Sequence, residues 1–114
     1  MTKEAFDIAV EKRLARAQQR EFCEATIKAV FDLMAREHYD MPLEHKARLV
    51  SHLCLMVARA FYGGTVPLMN DAAIAELSPQ ALKLSERVLT AFPNLGEAEK
   101  YLLAVHFDMK RLEE

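Results

Sequence analysis

Residues 3–37, KEAFDIAVEKRLARAQQREFCEATIKAVFDLMARE, contain neither glycine nor proline and are dominated by Ala, Glu, Lys, Arg and Gln. All of these are good helix formers. Apolar residues recur at Phe6, Val10, Leu14 and Ala17, and again at Cys23, Ile27, Val30 and Met34. Both sets have the spacing of one face of an α-helix. Between them Gln18 to Glu21 is wholly polar and the stripe slips, so the segment is one bent helix or two.

Working outward, the few glycines and prolines fall at boundaries. Asp40 and Pro42 suit a cap and a first turn, opening a helix from about Leu43 to Tyr62 that Gly63 and Gly64 would end. Asn70 can cap a short helix over Asp71 to Leu77. Ser78-Pro79 starts another, ending near Phe92. Asn94 followed by Glu97 has the form of a capping box and would open a last helix through Leu112. No strand pattern, repeat or linker competes. The expected fold is all-α, a compact antiparallel helical bundle of five to six helices.

Bulk properties bound the function. The chain has 114 residues, near the commonest size of a single domain, and its 52% hydrophobic content is ample for one core. Fifteen Lys+Arg against 17 Asp+Glu give a net charge of -2, which lacks the basic excess of a dedicated nucleic-acid binder. Cys23 and Cys54 sit in apolar helical patterns and are expected to be reduced, buried thiols. Lys3, Glu4 and Asp7 interrupt any signal-peptide pattern, and no uncharged run could span a bilayer. A cytoplasmic location is therefore expected, with no membrane contact.

Catalytic and metal signatures are missing. Gly63-Gly64 is not followed by the Gly-Lys-Ser/Thr of a phosphate-binding loop, and there is no nucleophile elbow and no His-Glu-x-x-His. His38, His45 and His52 are spaced by seven, about 10 Å of helical rise, too far for two ligands of one ion. No cofactor, metal or catalytic residue is expected, and the chain is not expected to be an enzyme.

Two histidines have unusual surroundings. His52 neighbours His45, Arg48 and Arg59 at helical spacing, on a helix whose other face is Leu49, Leu53, Met56 and Ala60. His106 lies in Tyr101-Leu102-Leu103-Ala104-Val105-His106-Phe107, with Glu99 seven residues before it and Lys110 one turn beyond. Both are expected at the edge of an apolar face, half in and half out. Such a histidine is commonly a partly buried, satisfied residue. An accessible imidazole, however, can act as nucleophile or base near neutral pH. Arg48 and Arg59 would suit a phosphate added at His52.

The stretch from Leu49 to Phe107 resembles the PTS regulation domain (PRD) of bacterial sugar-operon regulators. That family carries Leu-x-Asp-His-Ile-x-Phe-Ala-Leu-x-Arg. Here the segment is Leu49-Val50-Ser51-His52-Leu53-Cys54-Leu55-Met56-Val57-Ala58-Arg59, with Ser51 where the family has aspartate. Val66-Pro67-Leu68-Met69-Asn70 and Glu76-Leu77-Ser78-Pro79 look like the family's following segment, and Glu99 through Phe107 fits its closing acidic-apolar-histidine motif. The resemblance implies an N-terminal helical extension over 1–17 and a PRD-like domain over 18–114, with Cys23 to Met34 as that domain's first helix. It implies a regulatory module of bacterial carbohydrate utilisation whose histidines accept phosphoryl groups from HPr or an enzyme IIB to set operon expression. His52 and His106 would be the acceptors, with Arg48, Arg59 and Glu99 in support. A homodimer is expected too. The apolar stripe of Lys3 to Ala17 lies outside the match and must find either its own core or a second subunit. Direct nucleic-acid binding is not expected. A plain helical protein–protein interaction module that takes no phosphate is the alternative.

Overall fold

The computed structural model describes residues 1–112, with side chains described through Asp108. Among the described residues there are six helices and no strand: α1 (Lys3–Ala15), α2 (Arg20–Arg36), α3 (Leu43–Tyr62), α4 (Asp71–Ala75), α5 (Pro79–Leu89) and α6 (Glu97–Leu112). They form an all-α, compact helical bundle. The polar stretch after Leu14 divides the first segment into two helices. Arg20 of α2 reaches back across the break to Glu11 of α1 at 2.8 Å.

Several ends form as the local sequence dictates. Thr2 Oγ1 accepts from Ala5 N, Asn70 Oδ1 from Ala73 N and Ser78 Oγ from Ala81 N, each occupying a helix-start amide that has no intrahelical partner. Gly63 closes α3 at φ 81°, a conformation that favours glycine. Two expected caps go to other partners. Asp40 pairs with Lys46 at 3.0 Å, and α3 begins after Pro42 with no side-chain cap. Asn94 donates to the carbonyl of Ala60 at 2.9 Å, which ties the α5–α6 turn to the end of α3. The end of α2 is closed by His38 at φ 53°, and Tyr39 N then returns to Met34 O at 2.8 Å.

α3 is the central element, packed against α1, α2 and α6, while α5 packs on α6. Leu49, Leu53 and Met56 of α3 are fully enclosed with Leu103 and Phe107 of α6. Leu14 of α1 is buried in the same core, and Phe6, Val10 and Ala17 pack against it. The stripe of Lys3 to Ala17 thus meets the chain's own core, and its apolar side calls for no second subunit. Cys23 and Cys54 are buried free thiols, as the sequence implies. Burial, and then the neighbouring Cys23, push the Cys54 thiol up to about 11.

Candidate functional site

α3 and α6 run antiparallel, and that geometry brings the two histidine segments together. The rings of His52 and His106 are stacked, with centroids 4.3 Å apart and planes 24° from parallel. Seven residues after His52, Arg59 meets Glu99, which lies seven residues before His106. Arg59 donates from two nitrogens to the two carboxylate oxygens, one bond measuring 2.7 Å. Because 52 faces 106 and 59 faces 99, the two pairs sit about two helical turns apart along one seam. The carboxylate of Glu99 is buried, and only 17% of the Arg59 side chain is exposed. In such a site an ion pair must be well aligned to offset its desolvation, and the two-pronged geometry supplies that.

The two histidines differ in access. His52 is 4% exposed, buried rather than at an edge, because α3 is covered on three sides. His106 is partly exposed, as the sequence implied. His52 Nε2 and His106 Nδ1 are enclosed without a hydrogen-bond partner. Burial pushes the His52 imidazole from its ordinary 6.5 down to about 3, and the neighbouring His106 and the Arg59 charge add to the shift. Burial lowers His106 as well. Both rings are therefore neutral near pH 7, the form in which an imidazole nitrogen is a nucleophile. Since Nδ1 of His106 is enclosed, a phosphoryl group on that ring would have to sit on Nε2.

Arg48 is exposed on α3 one turn before His52. The side chain of Lys110, one turn beyond His106, lies outside the described residues. Two further residues set the seam and escaped the sequence reading. Tyr39, buried in the α2–α3 connection, donates its hydroxyl to the carbonyl of Phe107, next to His106, and its ring meets Phe107 edge to face. Asp108 is buried and accepts from Ser78 N and Ser78 Oγ, each at 2.7 Å, fastening α6 to the start of α5. The only signal for Asp108 was a carboxylate inside an apolar run. Tyr39 gave none beyond an aromatic residue in a connection. Among the described residues no group of three or more His, Cys, Asp or Glu is placed to hold a metal ion. No helix of the described residues is long and apolar enough to cross a membrane.

No protein-family model matches the chain, and no curated protein matches it in sequence. Among solved structures it is similar to a PRD-containing transcription regulator from Lactobacillus casei ATCC 334. The TM-score is 0.85 over 94% of this chain and 96% of that one, at 24% sequence identity. At that identity the likeness establishes the fold: this chain has the helical architecture of a PRD-containing protein.

Proposed function

We propose that this chain is a regulatory module of bacterial carbohydrate utilisation that is phosphorylated on histidine by HPr or an enzyme IIB. The observation that carries the reading is the stacking of His52 on His106 across α3 and α6, framed by Arg59 and Glu99. The PRD-like fold supports it. His106 is the principal acceptor. It is the more exposed of the two, and its neutral ring leaves Nε2 to attack phosphorus. The step exchanges one P–N bond for another. The donor's phosphohistidine loses its phosphoryl group, and its imidazole leaves as His106 Nε2 takes the group up. The product carries about −2 charge beside a seam that is enclosed and neutral. Such a charge weakens the stack and moves α6 relative to α3, and that movement is the signal passed on. The module acts in the cytoplasm as a homodimer, without direct contact to nucleic acid or membrane and without catalysis of its own.

The depth of His52 and the serine at 51 favour a second reading, in which the chain keeps the fold as a helical interaction module and takes no phosphate. The two separate by intact mass after incubation with phosphoenolpyruvate, enzyme I and HPr, and in parallel with an enzyme IIB. The phospho-regulatory reading expects one added phosphoryl group, retained in His52→Ala and lost in His106→Ala. Labelling lost only in His52→Ala reverses the assignment. A wild-type chain that never gains mass with either donor leaves the interaction module.

A further inference from the structure

Cys23 on α2 and Cys54 on α3 line one cleft of about 190 Å³. Each is only 2% exposed, and the Cys54 thiol is hydrogen-bonded to Cys23. One wall of the cleft is the break between α1 and α2, with Arg13, Arg16 and Gln19. Another is the last turns of α3, which end at Tyr62. Gln19 Nε2 donates to Tyr62 Oη at 2.8 Å and joins the two walls. The proposed phosphoryl chemistry makes no use of this pair of thiols, and neither His52 nor His106 lines the cleft.

We infer that the pair is a binding site for one soft, singly charged cation of the Cu(I) type, held in line between Cys23 Sγ and Cys54 Sγ. Thiolate sulfur is a soft ligand and selects soft cations. The number of ligands narrows the choice further. Structural Zn(II) and iron–sulfur clusters take four protein ligands. Among the described residues no group of three His, Cys, Asp or Glu is placed to hold an ion, so the two sulfurs stand without a third such ligand. A closed-shell, singly charged ion is satisfied by two sulfurs in line. The cleft gives such an ion a way in, which a buried pair of ligands needs. Binding sends both thiol protons to solvent and leaves the two thiolates and the cation with one net negative charge. Arg13 is placed to meet that charge. Its own charge favours the Cys54 thiolate, whereas burial and the neighbouring Cys23 oppose it. Arg16, exposed on the same cleft, adds to the positive field. Without a metal the enclosed pair stays protonated, and only an ion that bonds strongly to sulfur displaces both protons. Arg13, Cys23 and Cys54 lie on α1, α2 and α3, three helices that pack on one another, so a bound ion would tie all three.

The test is anaerobic titration of the reduced chain with Cu(I) supplied as its bicinchoninate complex, with circular dichroism to verify folding. Wild type is expected to withdraw one Cu(I) per chain from the chelator. X-ray absorption of the loaded protein is expected to show two sulfur ligands and no nitrogen. Cys23→Ala and Cys54→Ala each remove a sulfur without stranding a polar atom, and each is expected to lose the transfer. Arg13→Gln, at a half-buried position that ligates nothing, is expected to weaken binding about ten-fold, as groups beside a metal's ligands do. His52→Leu and His106→Ala are expected to bind as wild type does, which separates the site from the histidine seam. Zn(II) is expected to be held far more weakly than Cu(I). No transfer from bicinchoninate, one ion shared by two chains, transfer that survives either cysteine variant, a nitrogen ligand in the spectrum, or Zn(II) held as firmly as Cu(I) would each overturn the inference.

Discussion

Arg59 and Glu99 lock α3 to α6 two helical turns from the stacked rings of His52 and His106, with both carboxylate oxygens engaged. Removing one member would strand the other charge in a place built to hide it. Glu99 is buried, so Arg59→Met is expected to destabilise the chain by about 3 kcal/mol, the lower end of the range for a broken buried pair, since Arg59 keeps some solvent. The double variant Arg59→Met/Glu99→Leu is expected to recover most of that loss. Urea unfolding of the two single variants and the double variant completes the cycle. Additive losses would mean that the two side chains do not act as a pair.

Asp108 holds the first turn of α5 through two bonds to Ser78, one to the backbone amide and one to the hydroxyl. Bonds to an ionised group are the stronger kind, so Asp108→Asn is expected to cost about 2 kcal/mol. Ser78→Ala keeps the amide bond but loses the hydroxyl that also caps α5, and is expected to cost about 1 kcal/mol. Amide hydrogen exchange reads this locally: protection should fall first in the opening turn of α5. Unchanged exchange there in Asp108→Asn would refute the fastening role.

The end of α3 offers a control away from the histidines. Gly63 adopts φ 81° with ψ near extended, a region that side chains avoid, although a Cβ there would meet open space. Gly63→Ala is therefore expected to lower stability by at least about 1 kcal/mol through backbone strain alone. The pH dependence of stability should be unaltered, and thermal unfolding at two pH values checks both.

Helix ends were legible in the sequence wherever the signal was local. Gly63, Asn70 and Ser78-Pro79 act within a few residues, and each ended or began a helix where expected. Asp40 and Asn94 carry the same kind of signal, yet each side chain found a partner farther away, Lys46 or the Ala60 carbonyl. For Asn94 that choice depends on the end of α3 lying alongside, which no local pattern encodes. The apolar faces that carry His52 and His106 were legible as stripes, and the packing of α3 on α6 brings the two rings together. The depth of His52 was not legible. Periodicity places a residue at the edge of a stripe, whereas burial depends on how many helices cover it, and α3 has three neighbours. Glu99 shows the same limit from the other side: its distance from His106 along one helix was plain, but its pairing with Arg59 follows only from the register of α3 on α6.

The enclosed histidines should make stability fall as the medium becomes mildly acidic. In the unfolded chain a histidine takes up its proton near pH 6.5. In the folded chain His52 does so only near 3, chiefly because burial disfavours its charged form. Between those values the unfolded state holds the extra proton, so stability decreases with decreasing pH by up to about 1.4 kcal/mol per unit for this one group. His106 is shifted in the same direction and steepens the fall. Above about pH 7 both rings are neutral in either state, and neither contributes a slope. Unfolding in urea at steps from pH 7.5 to about 5 isolates the effect, because most carboxylates titrate below that window. His52→Leu removes the larger contribution without leaving a polar atom stranded, so its stability should vary less with pH than that of wild type. An identical slope in wild type and His52→Leu would mean that His52 takes up its proton in the folded chain almost as readily as in water, and the enclosed neutral stack would have to be abandoned.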